Sequence, residues 1–593
     1  MNSPIKILLA LNSALVLAQK VEASHFRSPA MAIGAATSME RVMPKERFSA
    51  RSIPSEGLRV RLARNECESV QVVVSPRNTD LKGVKVCVDG DLRGEGCVFA
   101  ATNITCCAMG YVNVTNDVPY LIGRSESSET SPGYVRQTCR PEKGWWPDPI
   151  LDFLDRVDVS GNDVQSFWVR VRCPALQKAG VYRGALVVSA AGVVAVRIPF
   201  SVRVNDFAIG RASPLPMAIT FWPEAMNVET SPARLWRRHK IEWADFLADY
   251  FITMDDLYNG GGREIPFDLL ERLKSQGRLG MFNIGYWTYP KSTNAADVAT
   301  WRAKTVPRLR KVYDEVKARG LLAHAYCYGC DEAKPETYPQ VRLAARELKA
   351  AFPDVPLVSA FCCEYDVGAT LDEVDWLVPQ TWQFRRGKAE ESRKAGHRVW
   401  WYICCGPQAP YANMFLECPV IEGRILMGAQ TIRMRPDGFL YFQLTLWRRC
   451  ARCIESGPFT DWSPKSTFGC TYNGDGSWVC AGPDGRPLPT IRLENFRDGL
   501  EDYAYAKILE GLLEKRGDKS DKWSLKAKEL LAVPNTVLDA RDVPQPELKP
   551  GDWKGCKVMY SMTNYTEDPA AVYRWRDAMA DLIEESNHPC QTR

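Results

Sequence analysis

The sequence predicts a multidomain α/β protein in which an N-terminal β-sandwich is followed by a (β/α)8 TIM-type barrel and then by C-terminal helices. Three observations predict this fold. Apolar and polar residues alternate with period two through much of the first third of the chain. Short apolar runs then alternate with amphipathic segments, as in βα units, and further amphipathic segments end the chain. The predicted units are a signal peptide (1–23), a β-sandwich domain (24–207), a barrel domain (208–505) and a helical extension packed on the barrel (506–593).

The first residues have the pattern of an export signal. Lys6 precedes an apolar run over 7–18, and Val21 and Ala23 have the small-residue spacing that signal peptidase accepts. This run is shorter than the roughly 20 residues that a membrane-spanning helix needs, and no later segment is long and apolar enough. We expect cleavage near Ala23, an exported protein that is secreted or periplasmic, and no membrane span.

The β-sandwich is predicted from three alternating stretches, LRVRLARNECESVQVVVSP (58–76), SFWVRVRC (166–173) and YRGALVVSAAGVVAVRIPFSVRV (182–204). The Pro-, Ser- and Trp-rich stretch 117–150 has no such period. We interpret it as a long insertion loop that reaches toward the neighbouring domain.

The barrel is predicted from eight apolar runs, most of them separated by amphipathic helices. One helix pattern spans 301–320 and stops at Gly320, and another spans 340–353 and stops at Pro353. Eight such units match one closed barrel, and the Gly-rich phosphate turn of a doubly wound sheet is absent from the sequence, so we expect no cofactor. The predicted strands are 216–222, 251–258, 281–289, 321–329, 356–362, 374–382, 398–405 and 438–447.

Composition narrows the class of partner. The chain has 76 Lys and Arg against 71 Asp and Glu, a formal net charge of +5, which is too balanced to predict nucleic-acid binding. The 18 Trp, 22 Tyr and 21 Phe favour a sugar ligand, because sugar rings stack their C–H faces on aromatic side chains.

The 20 cysteines predict some disulfides in an exported chain, with Cys470–Cys480 as the first candidate pair. Two CxxC units suggest a zinc site, but Cys327 and Cys330 lie in a predicted strand. Positions i and i+3 of a strand point to opposite faces, so we expect no metal.

Carboxylates follow two of the predicted barrel strands, where such barrels place their reacting groups. Asp255 and Asp256 lie on strand two, and Asp331 and Glu332 follow strand four. An acidic pair is also typical of a solvated loop or of a helix N-terminus, and the residues alone leave both interpretations open.

Neighbouring carboxylates suit one scheme of glycoside hydrolysis. If the sugar carries a 2-acetamido group, its carbonyl oxygen can attack the anomeric carbon. Asp331 would then hold the acetamido N–H while Glu332 acts as general acid and then as base. Glu332 would need a raised pKa, which an aromatic-walled pocket provides by excluding water.

Several long motifs resemble glycoside hydrolase family 123 and the related DUF4091 proteins. They are RNECESVQVVVSP, YCYGCDE, RVWWYICCGP, DGFLYF and YNGDGSWVCAGPDGRPLPTIRLENFRDGLEDYAYAKIL, and the resemblance covers most of 58–510. It implies a β-sandwich, a (β/α)8 barrel, no metal and exo-β-N-acetylgalactosaminidase activity through an oxazolinium intermediate. The Asp-Glu pair of the family matches Asp331 and Glu332. The chain departs from the family pattern at Ala333, where Pro is common, and at Thr445, where an amide side chain is usual.

Four further residues are candidate substrate contacts. Trp382 and Trp447 end strands six and eight and are predicted to stack on the sugar, although Trp at a barrel strand is often core. Tyr402 in strand seven is a candidate donor to the acetamido carbonyl, with packing as the alternative. Asp475 lies in a Gly-Asp-Gly loop and is predicted to reach sugar hydroxyls unless it only forms a turn.

Other polar residues are interpreted as structural. The sequence predicts an ion network that joins the last barrel loop to the C-terminal helices, and it predicts His324 to be a satisfied interior residue in strand four. With no Ser, Cys and His nucleophile motif, a Ser or Cys hydrolase is disfavoured. The network residues are Arg492, Glu494, Arg497 and Asp498.

Three functions remain open from the residues. The first is removal of terminal β-linked N-acetylgalactosamine, or N-acetylglucosamine, from glycans. The second is a glycosidase for another sugar, for which Asp256 is the candidate nucleophile. The third is a barrel that binds glycan without cleaving it, which the presence of both Asp331 and Glu332 disfavours.

Overall fold

The computed structural model describes residues 26–44, 51–77, 79–115, 120–122, 137–139, 143–225, 229–361, 370–407, 409, 411–465, 472–517, 520–538 and 560–587. The predicted signal peptide and Cys470 lie outside the described residues, so export and the Cys470–Cys480 disulfide stay predictions.

The N-terminal region is β-rich, as the alternation predicts. In β15 the buried side chains recur at every second residue from Val196 to Val204. The strands are β1 Met31–Thr37, β2 Arg51–Ser52, β3 Leu58–Arg64, β4 Cys67–Pro76, β5 Leu81–Val88, β6 Leu92–Gly94, β7 Cys97–Phe99, β8 Ile104–Val114, β9 Tyr120–Ile122, β10 Gln137–Cys139, β11 Gly144–Leu151, β12 Val157–Val159, β13 Gln165–Arg172, β14 Gly180–Ala190 and β15 Val193–Ala208.

Two sheets form the body of this region. The order is β11-β8-β13-β4-β1-β2 in the first and β12-β5-β14-β15-β3 in the second, where β6 pairs with β14 and β7 pairs with β6. Val72 and Val169 from the first sheet share one apolar cluster with Leu186 and Ile198 from the second. The two sheets therefore pack face to face over a common core, as in a sandwich.

The predicted insertion loop is wrong at its C-terminal end. Gly144–Leu151 is strand β11, which pairs antiparallel with β8 at the edge of the first sheet. The sequence of this strand lacks a regular alternation of apolar and polar residues, because a register shift between Pro147 and Ile150 interrupts its pairing with β8. The short β9–β10 pair lies inside the segment, and residues 117–119, 123–136 and 140–142 are outside the described ranges.

The middle region contains short parallel strands followed by helices. These strands are β16 Met217–Ile219, β17 Phe282–Asn283, β18 Ala325–Tyr328, β19 Leu357–Phe361, β20 Trp376–Pro379, β21 Arg398–Val399, β22 Trp401–Ile403 and β23 Phe439–Tyr441, and the antiparallel pair β24 Val479–Ala481 and β25 Pro487–Pro489 follows.

The parallel strands form two sheets, ordered β17-β18-β19-β20-β21 and β16-β23-β22. The predicted closed barrel is therefore confirmed only in part. Single bridges, Thr220–Asp255 and Gln380–Tyr402, extend the pairing. Predicted strand two is reduced to the first of these bridges, because side chains take over its hydrogen bonds. The Asn283 N–H donates to Asp255 Oδ1 at 2.8 Å, and Asn283 Nδ2 donates to the Asp256 carbonyl at 2.9 Å.

Predicted strands seven and eight are also shorter than expected. Strand seven divides into β21 and β22 at Trp400, and strand eight ends at Tyr441 instead of residue 447. After β23, the side-chain oxygen of Gln443 accepts hydrogen bonds from the Leu444 and Thr445 amides, at 2.9 and 3.1 Å. The Leu444 amide also donates to the Thr220 carbonyl at 2.9 Å, so the side chain supplements a backbone partner at Leu444 and takes the place of one at Thr445.

The helices follow the predicted patterns closely. The Asn294 side chain caps α4 by accepting from the Asp297 N–H at 2.8 Å. The helices are α1 Ser231–Leu235, α2 Lys240–Asp249, α3 Phe267–Ser275, α4 Ala295–Ala318, α5 Tyr338–Ala351, α6 Arg386–Lys394, α7 Ile421–Ile425, α8 Thr431–Met434, α9 Ile491–Arg516, α10 Lys522–Leu531, α11 Tyr560–Thr563 and α12 Pro569–Asn587. Within the described ranges, no helix is long and apolar enough to cross a membrane.

Helix α9 connects the regions of the molecule. It runs unbroken across the predicted domain boundary at 505 and is buried along most of its first four turns. The predicted ion network lies on this helix, but it reaches further than the sequence indicates. Arg492 pairs with Asp148 of β11 at 2.8 Å, and Glu494 pairs with Arg170 of β13. The network therefore ties the β-rich region to α9 as well.

Candidate active site

The predicted acidic pair follows β18, at the end of a parallel strand. Tyr328 is the last residue of the strand and Gly329 comes next. A Cβ atom at Gly329 would lie 2.1 Å from the carbonyl oxygen of Trp287, so only glycine lets these chains approach so closely. The chain leaves the sheet immediately after this contact.

The acidic pair sits in a tight turn that neighbouring strands hold from both sides. Cys330 and Glu332 have φ angles of 48° and 47°, in the left-handed region that non-glycine residues rarely adopt. The Cys330 N–H donates to the Trp287 carbonyl and the Glu332 N–H donates to the Ala360 carbonyl, each at 3.1 Å. These bonds fix the backbone that carries both carboxylates.

Asp331 is surrounded by three tyrosines. Its Oδ1 accepts from the Tyr328 hydroxyl at 2.5 Å and its Oδ2 from the Tyr258 hydroxyl at 3.4 Å, while its N–H donates to the Tyr286 hydroxyl at 3.1 Å. The three rings lie about each other with centroids 5.9 to 6.2 Å apart. Asp331 is thus held in place by neutral donors.

The protonation of Asp331 is shifted toward neutral pH. The side chain is exposed, but the protein around its carboxyl group displaces water and raises the pKa of Asp331 to about 6. The negative charge of Glu332 raises this pKa further, while the bonds from Tyr328 and Tyr258 hold it down. Asp331 is therefore mostly ionised at neutral pH and becomes protonated in mild acid.

Glu332 is held separately, by Tyr402. The Tyr402 hydroxyl donates to Glu332 Oε1 at 2.6 Å and lies 3.4 Å from the Phe361 carbonyl. The sequence predicts that Tyr402 binds an acetamido carbonyl, and in this structure the same hydroxyl instead orients the neighbouring carboxylate. Burial, followed by the charge of Glu332, raises the pKa of Tyr402 well above its usual value, so the hydroxyl stays a donor.

Trp382 is connected through Gln380 to the strand that carries Tyr402. It follows β20, is half-buried, and donates from Nε1 to Gln380 Oε1 at 2.5 Å. Gln380 in turn is bridged to Tyr402 of β22. Stacking of Trp382 on a sugar stays a prediction.

Trp447 and Asp475 do not reach the surface, which corrects their predicted role as substrate contacts. Trp447 is 0% exposed, packs between Trp243 and Trp462, and donates from Nε1 to the Val479 carbonyl. Asp475 is 1% exposed and accepts from the Tyr441 hydroxyl at 3.1 Å. Both residues follow β23, where the chain turns inward instead of continuing the strand.

The second acidic pair, on predicted strand two, is occupied by internal partners. Asp255 is buried, which raises its pKa to about 7, and it accepts from the Tyr326 hydroxyl. Asp256 is ion-paired with Arg263 and accepts from the Tyr258 N–H at 3.0 Å. A groove of about 1390 Å³ between α2 and α3 reaches both aspartates, but neither Asp331 nor Glu332 lines it.

The remaining predicted polar sites have structural contacts. His324 lies in a turn before β18, not within the strand, and its Nδ1 is 3.0 Å from the Gly280 carbonyl oxygen. Of the cysteines whose side chains the structure describes, 14 are thiols that form no disulfide. In the part of the chain that the structure describes, no three His, Cys, Asp or Glu side chains converge on a point that could hold a metal ion.

Sequence reasoning missed the tyrosines around Asp331. Tyr258 is the last residue of predicted strand two, Tyr286 lies within predicted strand three and shortly after β17, and Tyr328 ends β18. A signal was present, because these tyrosines lie at or near the same predicted strand ends as the carboxylates. Hydroxyl donors at those same ends would have identified the three residues.

Family models match two parts of this chain. "Glycoside hydrolase 123, catalytic domain" matches residues 285–509, and "Glycoside hydrolase 123 N-terminal domain" matches 45–190. Together the two matches cover more than half of the chain. The protein is therefore a glycoside hydrolase. The chain belongs to glycoside hydrolase family 123. No curated protein matches it at a significant level.

One solved structure agrees with this assignment at the level of the fold. A family 123 glycoside hydrolase from Clostridium perfringens is 14% identical, with a TM-score of 0.64, and the match covers 94% of this chain and 99% of that chain. A family 39 glycoside hydrolase from Bacteroides cellulosilyticus WH2 is 11% identical over 71% of this chain and 80% of that chain, with a TM-score of 0.28. A β-D-glucuronidase from Dictyoglomus thermophilum is 8% identical over 80% and 98%, with a TM-score of 0.29.

Proposed function

We propose that the protein is an exported, retaining exo-glycosidase that removes terminal β-linked N-acetylgalactosamine by substrate-assisted catalysis. One observation carries this proposal. Asp331 and Glu332 are adjacent, yet different tyrosines hold them, so each can have a separate role. Asp331 is bonded to Tyr328 and Tyr258, and Glu332 to Tyr402.

Asp331 has the properties needed to orient the 2-acetamido group. As a carboxylate it accepts the amide N–H, which turns the acetamido carbonyl oxygen toward the anomeric carbon. When that oxygen attacks, positive charge develops on the amide, and the negative Asp331 stabilises it. The neutral tyrosine donors fix the carboxylate without cancelling this charge.

Glu332 transfers the protons. It first protonates the glycosidic oxygen as the bond to the anomeric carbon breaks and the oxazolinium forms. It then accepts a proton from water, whose oxygen attacks the anomeric carbon and reopens the ring. Two inversions at the same carbon give net retention. Tyr402 keeps Glu332 in position through both steps.

Catalysis by a protein nucleophile has less support. Asp256 is the sequence candidate, but its carboxylate is ion-paired with Arg263 and also accepts from the Tyr258 amide. A nucleophile in this position would have to break the ion pair before attacking carbon.

The proposal also includes the class of substrate, export of the protein and closure of the barrel. The Clostridium perfringens relative is described through its glycolipid glycan hydrolysis, and we extend that substrate class to this chain. Export rests on the pattern of residues 1–23. We further propose that the two parallel sheets belong to one closed (β/α)8 barrel, supported by the parallel bridges Thr220–Asp255 and Gln380–Tyr402.

Hydrolysis of 4-nitrophenyl β-glycosides of N-acetylgalactosamine, N-acetylglucosamine and galactose tests the proposal. We expect cleavage of the acetamido sugars alone, inhibition by a thiazoline, and loss of activity in Asp331→Asn and Glu332→Gln. Glu336→Gln, at an exposed acid four residues away, is the matched control and should remain active. Cleavage of the galactoside, or full activity in both site variants, would refute substrate assistance. Faster cleavage of the N-acetylglucosaminide would overturn the galacto preference.

A further inference from the structure

Two adjacent cysteines lie directly after β22, on the side of the candidate site that Tyr402 occupies. The Cys404 and Cys405 sulfur atoms are 3.8 Å apart, and both residues are half-buried. The backbone turns sharply here, with the Cys404 N–H donating to the Gly406 carbonyl at 2.7 Å. This turn brings the two side chains to one side of the chain.

Adjacency in sequence does not by itself produce this geometry. Cys106 and Cys107 are also neighbours, but they lie within strand β8, where successive side chains point to opposite faces. Cys106 packs on the core between the two sheets, and Cys107 packs in a separate cluster with Trp168. The close approach of Cys404 and Cys405 is therefore a property of the turn.

The separation of the two sulfurs fits chelation better than a disulfide. Two thiolates bound to one tetrahedral ion at about 2.3 Å lie about 3.8 Å from each other. A disulfide usually joins Cα atoms about 4.4 to 6.8 Å apart, whereas adjacent Cα atoms are only about 3.8 Å apart across a trans peptide. A disulfide between these neighbours would be strained and easily reduced.

The pair also contacts residues of the candidate site. Gln380 Nε2 lies 3.6 Å from Cys404 Sγ, and Gln380 Oε1 accepts from the Trp382 indole. Tyr402, two residues before Cys404, holds Glu332. An ion bound between the two sulfurs would lie beside both the predicted sugar platform and the residue that orients Glu332.

We propose that Cys404 and Cys405 form a two-thiolate site for a thiophilic metal or metalloid ion, and that its occupation blocks hydrolysis. Within the described residues no cluster of three potential ligands exists, so the ion completes its shell with water or with a group that it carries. The inhibitory half of this proposal rests on the proposed function, and the binding half does not.

Phenylarsine oxide is the probe, because its arsenic needs only two protein thiolates. Two As–S bonds form and the arsenic–oxygen bond breaks. The two thiol protons leave with that oxygen as water, and no electrons are transferred. A dithiol such as 2,3-dimercaptopropanol reverses the reaction by exchanging for the protein sulfurs.

Binding is tested by intact mass spectrometry of the full chain after incubation with phenylarsine oxide. Cys404→Ser and Cys405→Ser should each carry one arsenical fewer than the wild type, and the dithiol should remove that adduct from the wild type. Cys97→Ser, which removes a half-buried single thiol of β7, is the matched control and should keep the wild-type number. An unchanged number in both site variants would overturn the site.

Inhibition is tested with the acetamido glycoside, each protein being compared with its own untreated rate. The arsenical should abolish most wild-type activity, the dithiol should restore it, and both serine variants should resist. An adduct without loss of rate would overturn the inhibitory half. If the untreated wild type cleaves no acetamido glycoside, the proposed function fails while the mass measurement still decides the thiol site.

Discussion

Two regions of this molecule concentrate carboxylates, and they treat negative charge in opposite ways. In the ion network around α9, buried carboxylates face arginines: Arg424 contacts Asp502 at 2.7 Å and Glu68 at 3.1 Å. In the candidate site, the side-chain hydrogen bonds to Asp331 and Glu332 among the described residues come from tyrosines. In the network, arginines neutralise the buried carboxylates. In the candidate site, tyrosine hydroxyls hold the two carboxylates without neutralising them.

The pKa values of Glu494 and Asp331 show the same contrast, whereas burial outweighs the arginines at Asp498 of the network and raises its pKa to about 7. Burial alone would raise the pKa of Glu494, but Arg170 and Arg497 outweigh it and lower that pKa to about 2. At Asp331 displacement of water has no cation to oppose it, and the pKa rises to about 6. A carboxylate with a raised pKa and no counter-ion is typical of functional sites, and a paired one is typical of structural sites.

The largest expected effect is on turnover. Glu332→Gln removes the group that transfers protons, so kcat should fall by a factor of about 10² to 10⁴. The unfolding free energy from urea titration should stay close to that of the wild type, because Glu332 is exposed. If Glu332→Gln instead lost enough stability to explain its lost activity, Glu332 would have a structural role like the carboxylates of the network.

The next effect is on stability. Arg424→Met removes the cation that contacts the buried carboxylates of Glu68 and Asp502, and Asp502 keeps only its second partner, Arg576, at 3.2 Å. The unfolding free energy should therefore drop by about 3 to 5 kcal/mol. Urea denaturation measures this change. Arg346→Met, in an exposed pair with Glu373, is the control and should cost less than about 1 kcal/mol. Equal losses in the two variants would contradict a structural role for the network.

The pH profile sharpens the comparison within the site. Because Asp331 must be ionised in its proposed role, kcat/KM should fall as the pH drops through about 6. Tyr328→Phe removes a donor that favours the ionised form, so this acid limb should move to higher pH. Tyr326→Phe, in the same strand but bonded to Asp255, should leave the limb in place. If Tyr328→Phe does not shift the acid limb, the limb reflects the titration of a group other than Asp331.

The smallest effect concerns the stability cost of the site. The folded pKa of Asp331 lies above its ordinary value of 3.8, so the folded state holds the proton more tightly. The carboxyl therefore lowers stability as the pH rises from about 4 to 6, and the full cost persists above 6. Asp331→Asn should unfold at slightly higher temperature than the wild type at pH 7, with no difference near pH 3. A less stable variant at pH 7 would contradict the sign.

Much of the fold follows from local patterns in the sequence. The alternation in β15 and the stripes of α4 and α5 depend on residues close in the chain, so their elements were predicted within a few residues. Strand eight failed for the opposite reason. Its apolar run continues to Trp447, but after Tyr441 the side-chain oxygen of Gln443 accepts hydrogen bonds from the Leu444 and Thr445 amides. The periodicity of apolar residues gives no information on such bonds.

The sequence by itself determined the candidate catalytic pair, because a strand pattern followed by Asp331-Glu332 places both carboxylates at a strand end. Tertiary structure alone decided what surrounds them. Tyr258, Tyr286 and Tyr402 come from distant segments of the chain, and only folding shows that they meet the acidic pair while Trp447 turns into the core. Hydrogen bonding and burial depend on distances between residues far apart in the chain, and a linear pattern carries no such distances.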